Sequence, residues 1–264
     1  MASARTTISA EATDHPIASA TGATVVASAI FLAWPQIDTG AAGLFHALGD
    51  GFPVSRVPLF IALRDAGRDL TTICVVGLVI ACIARLVLPR LLAWLKPSVL
   101  TFLVVSLAVG PGLIVNRILK EFWGRARPLD TDLFGGQHAF SPAWEIADGC
   151  IRNCSFVSGE ASAGIWLVAF AFVVPVAWRP ITIRLALAWA ILISFNRMAF
   201  GGHYFSDVVI GWGVTMIVVL ICRELILVRQ AEPIDSGAVS AALLARARAA
   251  WRRIRPERGS RDLS

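Results

Sequence analysis

The sequence predicts an all-α membrane protein, a bundle of six transmembrane helices with an interfacial amphipathic segment after the first span. Composition is the first reason, because 56% of the residues are hydrophobic, only 16% are charged and the mean hydropathy is +0.70. Soluble domains carry far more charge. The second reason is that apolar runs of about 20 residues recur along the chain. These runs and their loops use up all 264 residues, which leaves no room for a second globular domain.

Six apolar runs are predicted to cross the bilayer. They cover residues 17–34, 70–88, 99–119, 158–178, 185–200 and 207–228. The stretch 36–69 mixes Gly, Pro and charge with short apolar pieces, which is typical of a segment lying along the membrane surface. Pro111, between two glycines, predicts a kink in the third run. We therefore divide the chain into a disordered cytoplasmic tail (1–16), a membrane domain (17–228) and a basic cytoplasmic tail (229–264).

The positive charge predicts the orientation of the bundle. The formal net charge is +6, but the basic residues lie in short turns at 85–97 and 179–184 and in the C-terminal tail. Short basic segments stay in the cytoplasm, so a lipid bilayer explains this charge and no nucleic-acid partner is expected. Both termini are then cytoplasmic. The loops at 120–157 and 201–206 share the opposite side, which is the periplasm in a bacterial inner membrane.

Two of the five cysteines, Cys150 and Cys154, lie in the polar loop before the fourth run. Their spacing allows a disulfide if the loop faces an oxidising compartment, and free thiols are an equal alternative. Too few ligands stand nearby for a zinc site. We expect no metal and no cofactor.

A first polar cluster follows the third run. Lys120 and Arg127 are seven positions apart, and Pro128 comes next. Alone, this pair could be a snorkelling lysine and an arginine that faces lipid headgroups.

A second cluster opens the fourth run with Ser158, Gly159 and Glu160. The start of a helix presents unpaired backbone N–H groups and the positive end of the helix dipole, which suits an oxyanion. The alternative is an ordinary N-cap, for which Ser158 and Glu160 are also well chosen.

A third cluster joins the fifth and sixth runs and contains Arg197, His203 and Asp207. Residues four apart share one helix face, so the Asp207 carboxylate could accept the ring N–H of His203 and leave the other nitrogen free as a nucleophile. Arg197 could donate two hydrogen bonds to phosphate oxygens. The predicted orientation puts all three clusters on one side of the membrane.

Together the clusters resemble the type 2 phosphatidic acid phosphatase superfamily, which is related to glucose-6-phosphatase and the vanadium haloperoxidases. The family pattern is Lys, six residues, Arg-Pro; then Pro-Ser-Gly-His; then Ser-Arg, five residues, His, three residues, Asp. The first motif matches fully, and the third matches with Asn196 in place of Ser. The second departs from the pattern, because Val157 replaces Pro and Glu160 replaces His.

The resemblance implies a role for each matching residue. Lys120, Arg127 and Arg197 would bind the phosphate, helped by Ser158 and the backbone of Gly159. His203 would attack phosphorus to give a phosphohistidine, oriented by Asp207, and water would then release phosphate. The cations would supply the charge stabilisation that other phosphatases obtain from a metal.

The departure at Glu160 concerns the proton that the leaving oxygen needs. In the family a histidine donates it, and a carboxylic acid here would suit a lower pH or a better leaving group. The implied function is hydrolysis of a lipid phosphate or lipid pyrophosphate at the periplasmic face. Lipid A, undecaprenyl pyrophosphate, phosphatidylglycerol phosphate and phosphatidic acid are candidate substrates. A lipid-to-lipid phosphotransferase and a non-catalytic lipid-binding relative are the alternatives, and the sequence leaves the oligomeric state open.

Overall fold

The computed structural model describes residues 15–237, so most of the two predicted tails lies outside the described part of the chain. Within it the regular secondary structure is helical apart from one isolated β-bridge, and the longest irregular stretch covers residues 135–158. We number the helices α1 Pro16–Ala33, α2 Gln36–His46, α3 Pro58–Val87, α4 Pro97–Leu107, α5 Gly159–Trp166, α6 Arg179–Ala199, α7 Phe205–Cys222 and α8 Ala231–Asp235. Three of them are extended by further helical segments. After α4 come the π-helical Ala108–Leu119 and the α-helical turn Lys120–Phe122, after α5 the 3₁₀ segment Leu167–Phe172, and after α7 the π-helical Arg223–Arg229.

The predicted all-α membrane fold is confirmed, and the chain is a multi-pass membrane protein. Five helical segments among the described residues are long and apolar enough to cross a membrane, namely Pro16–Ala33, Pro58–Val87, Pro97–Phe122, Val176–Ala199 and Phe205–Arg229. The expected fourth span is shorter, since its apolar helix covers only Gly159–Phe172. Pro175 accounts for this early end, because a proline lacks the N–H that would continue the helix and restricts the residue before it.

The second span begins earlier than the sequence predicts. Helix α3 starts at Pro58 rather than near residue 70. The stretch 36–69, predicted to be interfacial throughout, therefore contains α2 and the first turns of α3. At 30 residues, α3 is about 45 Å long and exceeds the ~30 Å hydrocarbon core. Its charged first turns include Asp65, whose carboxylate accepts a hydrogen bond from Arg68 at 2.7 Å.

The ends of two other helices also differ from the prediction. The residues 179–184, expected as a basic turn, form the first turns of α6, since a proline at the start of a helix needs no hydrogen-bond partner. In the third span the helix continues through Pro111 with the wider π-helical turn over Ala108–Leu119. The side-chain amide of Asn116 donates to the Pro111 carbonyl at 2.7 Å, so this carbonyl has a hydrogen-bond partner within the wider turn.

Apolar packing centres on α5 and α7. One buried cluster joins α3, α4, α5 and α7 through Leu78, Phe102, Trp166 and Val219. Trp166 is 1% exposed, and its indole N–H donates to Ser106 Oγ at 3.0 Å. The short helix α5 is therefore enclosed by other helices, which holds its N-terminus in a fixed position in the bundle.

A buried ion network attaches α2 to the start of α7. Asp38 and Arg125 are both fully buried, and Arg125 Nη2 donates to Asp38 Oδ2 at 2.8 Å. The same carboxylate accepts from the backbone N–H of Ser206 at 2.8 Å and from its hydroxyl at 2.6 Å. Burial raises the pKa of Asp38, while Arg125 acts in the opposite direction. The segment predicted to lie on the membrane surface thus places a carboxylate inside the protein.

Replacing Asp38 with Ala is expected to lower the free energy of unfolding by about 3–5 kcal/mol, because it leaves a buried guanidinium with one carboxylate fewer. The measurement is the thermal or denaturant unfolding midpoint of the purified protein in detergent. Asp50→Ala is the matched control, since that carboxylate is exposed. Equal midpoints for the two variants would show that the Asp38–Arg125 contact does not stabilise the fold.

Candidate active site

His203 is buried and held in one orientation. The residue is 2% exposed, and its Nδ1 lies 2.8 Å from the carbonyl oxygen of Ser155. A carbonyl can only accept a hydrogen bond, so Nδ1 carries the proton and donates. The lone pair of the neutral ring is then on Nε2, which is the nitrogen that could attack phosphorus.

Asp207 is close to His203 but is not its direct acceptor. Asp207 Oδ2 lies 3.7 Å from His203 Nδ1, beyond hydrogen-bond distance. That oxygen instead accepts from the Ser155 hydroxyl at 2.6 Å and from the backbone N–H of Tyr204 at 2.9 Å. Asp207 therefore orients the imidazole indirectly, by fixing the residue whose carbonyl receives the Nδ1 proton.

The surroundings keep His203 neutral. Burial lowers the pKa of His203 to about 3, and the nearby cations Lys120 and Arg197 act in the same direction against Asp207. A neutral imidazole retains a lone pair, whereas an imidazolium has none. The ring is thus in its nucleophilic form throughout the physiological pH range.

Two of the predicted phosphate ligands, Lys120 and Arg127, share one partner that the sequence did not reveal. Lys120 Nζ donates to the side-chain oxygen of Asn153 at 2.9 Å, and Arg127 Nη2 donates to the backbone oxygen of Asn153 at 2.8 Å. Lys120 is 9% exposed, so its ammonium is largely removed from water. Each cation uses one donor here and keeps others for an anion.

The third predicted cation, Arg197, is paired with Glu160. Arg197 Nε lies 3.2 Å from Glu160 Oε2, and neither atom has a well-directed hydrogen bond. Their side chains are 8% and 27% exposed. The residue before Arg197, Asn196, donates its amide to the Phe60 carbonyl at 2.9 Å and so connects α6 to α3. Glu160 is therefore in contact with a cation at the site, where the sequence comparison placed a proton donor.

The N-terminus of α5 has the predicted form. Ser158 is the N-cap, and its hydroxyl accepts from the Ala161 N–H at 3.3 Å. The N–H groups of Gly159 and Glu160 belong to the first turn and have no partner within the helix. The amide of Asn116 fills the space that a Cβ at Gly159 would need, so close packing also accounts for this glycine.

A cavity of about 520 Å³ reaches this region between α3, α4 and α5. Its polar end includes Lys120, Gly159, Glu160 and Arg68. Its remaining lining is mostly apolar, namely Val75, Leu78, Val79, Val104, Leu107, Ala108, Pro111, Gly112 and Ala163, together with Thr71 and Asn116. The lining residues do not include His203, Ser158, Arg127 or Arg197. The cavity can thus accommodate a molecule with a charged head and an apolar body.

The structure brings the three sequence clusters together. The backbone N–H of Ser158 donates to the Asp207 carbonyl at 3.0 Å, and that of Cys154 donates to the Lys120 carbonyl at 3.2 Å. Sequence reasoning gave no role to Asn153, Ser155 or Arg125, since none is a motif residue of the family pattern. Cys150 and Cys154 form a disulfide. Within residues 15–237, no three His, Cys, Asp or Glu side chains are grouped as metal ligands.

Several known proteins resemble part of this chain. Lipid A 4'-phosphatases from Rhizobium leguminosarum and Rhizobium etli are each 46% identical over 113 residues, which is 43% of this chain and 48% and 44% of theirs. The lipid A 4'-phosphatase of Francisella tularensis subsp. novicida is 43% identical over 111 residues, which is 41% of this chain and 49% of that protein. The chain thus spans about half the length of the relatives it matches. No solved structure matches it.

The family comparison covers more of the chain. A family model described as the PAP2 superfamily matches residues 99–230, which is half of the sequence and includes all eight predicted site residues. The chain therefore belongs to the PAP2 superfamily, the group whose motifs its three polar clusters resemble.

Proposed function

We propose that this protein is a membrane phosphatase that removes a phosphate group from lipid A, by way of a phosphohistidine at His203. The observation that carries the proposal is the buried, neutral imidazole whose Nδ1 proton is held by Ser155, beside the cations Lys120 and Arg197, with Arg127 near both of these. Nucleophile and anion-binding groups in one place are what phosphoryl transfer requires.

The proposed reaction has two steps. His203 Nε2 attacks phosphorus, the phosphorus–oxygen bond to the lipid breaks, and the leaving oxygen takes a proton. Water then attacks the phosphohistidine, which releases inorganic phosphate and regenerates the imidazole. Lys120, Arg127, Arg197 and the free N–H groups at the start of α5 stabilise the negative charge on the phosphoryl oxygens.

The cavity supports a lipid as substrate. Its polar end reaches Lys120, Glu160 and the N-terminus of α5, and its apolar walls come from helices that are predicted to lie in the bilayer. A phosphate at the polar end would leave the acyl part of the molecule in apolar surroundings. The similarity to lipid A 4'-phosphatases favours lipid A, and the 4'-phosphate, among the lipid phosphates.

The site is proposed to face the periplasm, with both termini in the cytoplasm. The basic segments around 85–97 and 179–184 lie at the other ends of the spanning helices from the 120–157 loop. The Cys150–Cys154 disulfide in that loop supports the same orientation, since disulfides persist in the bacterial periplasm and are rare in the cytosol.

The test of the function is incubation of purified protein with lipid A, followed by mass spectrometry of the lipid and assay of free phosphate. Wild type is expected to give a species that lacks one phosphate, and His203→Ala to lose at least about a thousandfold in rate. His138→Ala is the matched control, because that histidine is exposed on the loop and is expected to keep full activity.

Three other results would contradict parts of the proposal. Transfer of phosphate to a second lipid without free phosphate would identify a phosphotransferase. Binding of lipid A without any phosphate loss would identify a lipid-binding relative. An active His203→Ala variant would rule out the phosphohistidine.

The protonation state of His203 is predicted to be insensitive to pH. Since burial sets the pKa of His203 at about 3, the ring is expected to stay neutral from pH 8 down to pH 5. The measurement is the ¹⁵N chemical shift of the two ring nitrogens in detergent, with Nδ1 protonated and Nε2 not. Titration of these shifts near pH 6.5 would show that the ring is not buried as described.

The lowered pKa of His203 also predicts how the free energy of unfolding depends on pH. The folded-state pKa lies below the ordinary value of 6.5, so the unfolded chain binds a proton between about pH 6.5 and 3 that the folded ring does not. His203 therefore lowers the free energy of unfolding as pH falls through this window and has no such effect above it. His203→Gln is expected to flatten that dependence.

We propose that Glu160 donates the proton to the leaving oxygen. Glu160→Gln is expected to lower kcat by about a hundredfold on a lipid phosphate monoester, where an alkoxide-like oxygen leaves. With p-nitrophenyl phosphate, whose leaving group needs no proton, the variant is expected to be close to wild type. A variant impaired equally on both substrates would show that Glu160 acts through its contact with Arg197 and does not donate the proton.

A further inference from the structure

A small disulfide-closed ring adjoins the candidate site. Cys150 and Cys154 are bonded across four positions, with their Cα atoms 5.5 Å apart. Ile151 is 90% exposed and the Arg152 side chain 83% exposed, whereas Cys154 is fully buried. One end of the ring thus faces solvent and the other end contacts the protein interior.

Asn153 is the member of this ring that contacts the cations. Its side-chain oxygen accepts from Lys120 and its backbone oxygen accepts from Arg127, at 2.9 and 2.8 Å. Its φ is +53°, a left-handed conformation that asparagine tolerates better than most residues. The closed ring restricts the backbone on both sides of this residue, so both oxygens are held towards the site.

The chain passes from the ring directly into the residues that orient His203. Cys154 donates its backbone N–H to the Lys120 carbonyl at 3.2 Å, and Ser155 donates its own to the Arg125 carbonyl at 2.9 Å. Ser155 is the acceptor for His203 Nδ1. Cys154 therefore lies between Asn153, which contacts both cations, and Ser155, whose carbonyl fixes the orientation of His203.

We propose that Asn153, held by the Cys150–Cys154 disulfide, is a positioning residue that arranges Lys120 and Arg127 for phosphate, so that reduction of the disulfide weakens phosphate binding. This inference rests on the proposed phosphatase function. Lysine and arginine have long, mobile side chains, and ordering them before the ligand arrives lowers the entropic cost of binding. One donor of each cation is used by Asn153, and the remaining donors are available to phosphate oxygens.

The redox step is ordinary thiol–disulfide exchange. Dithiothreitol transfers two electrons and two protons to the disulfide, which leaves two thiols, and itself closes to a cyclic disulfide. The free cysteines Cys74, Cys82 and Cys222 carry no disulfide for the reagent to reduce.

The first experiment compares Asn153→Gly with wild type in the full-length protein. Glycine accepts the positive φ and keeps the backbone oxygen for Arg127, so the variant removes only the contact to Lys120. The expected result is about tenfold weaker binding of vanadate, an analogue of phosphate in its transition state, measured by titration calorimetry. KM for the lipid phosphate is expected to rise by a similar factor, with kcat within about threefold of wild type.

Arg152→Ala is the matched control. It lies in the same ring, and its guanidinium approaches only Glu121 Oε2, at 4.0 Å. Vanadate affinity is expected to remain at the wild-type value. A general loosening of the loop would lower affinity in both variants, whereas a positioning role lowers it in Asn153→Gly alone.

The second experiment leaves the sequence unchanged. Because thiols also reduce vanadate, wild type is treated with dithiothreitol and freed of the reagent under anaerobic conditions before the titration. This reduced protein is expected to bind vanadate as weakly as Asn153→Gly, and reoxidation is expected to restore the affinity. The double variant Cys150→Ser/Cys154→Ser is expected to bind weakly with or without this treatment. Unchanged or tighter vanadate binding, in Asn153→Gly or in reduced wild type, would overturn the inference.

The two proposals fail in different ways. Calorimetry requires no turnover, so the role of Asn153 is tested even if no phosphate is released. A wild type that binds vanadate but hydrolyses no lipid phosphate would overturn the proposed function alone. Hydrolysis by a wild type whose vanadate affinity is insensitive to both Asn153→Gly and the reductant would overturn the inference alone.

Discussion

The guanidinium of Arg125 is the contact on which the rest of the site depends. It donates from Nη1 to Asp207 at 2.7 Å, from Nη2 to Asp38 at 2.8 Å and from Nε to the Ser141 carbonyl at 2.8 Å. Its planar face lies 4.2 Å from the centre of the Tyr204 ring. One fully buried side chain thus joins α2, the loop before α5 and the start of α7. Burial is the largest influence on the pKa of Arg125 and lowers it, but the two carboxylates together raise it, so the group stays charged.

This arrangement determines what Asp207 can do. One of its oxygens accepts from Arg125, and the other accepts from Ser155 and from the backbone of Tyr204. Both lone pairs of Oδ2 are thus occupied, which fits the 3.7 Å separation between Asp207 Oδ2 and His203 Nδ1. The carboxylate acts by holding Ser155, and the carbonyl of Ser155 fixes the tautomer of the imidazole. Orientation of the nucleophile is therefore a property of the whole buried network.

Sequence reasoning selected candidate site residues by their chemistry and assigned no role to the residues that hold them. Arg197, His203 and Asp207 were candidates because their types and spacing fit phosphate chemistry. The partners of the site could not, since they are far away in sequence. Asn153 is 33 residues from Lys120, and Ser155 is 48 residues from His203. No periodicity reports such contacts, which form only when the loop folds onto the start of α7.

For the fold, the sequence predicted most of the membrane spans but not where each helix begins and ends. Hydropathy reports where a chain is stable in lipid, so the apolar runs marked the spans, while hydrogen bonding decides where each helix begins and ends. Helix α3 therefore starts at Pro58, well before its apolar part, and α6 starts at Arg179 within the expected turn. The segment at 36–46 was expected to use its polar face at the membrane surface. Asp38 is instead buried against Arg125, a pairing that amphipathicity alone cannot indicate.

Glu160 stands where the family pattern has a histidine, and the charge of the site bears on this difference. Arg125 is paired with two buried carboxylates and His203 is neutral, so the charged groups of the predicted phosphate site are Lys120, Arg127, Arg197 and Glu160. These three cations and one carboxylate sum to +2, which balances the charge of a doubly ionised phosphate monoester. With a neutral histidine at position 160 the sum would be +3. The glutamate therefore brings the charge of the site closer to that of a doubly ionised phosphate, and it does so in contact with Arg197, the cation next to the loop that carries His203.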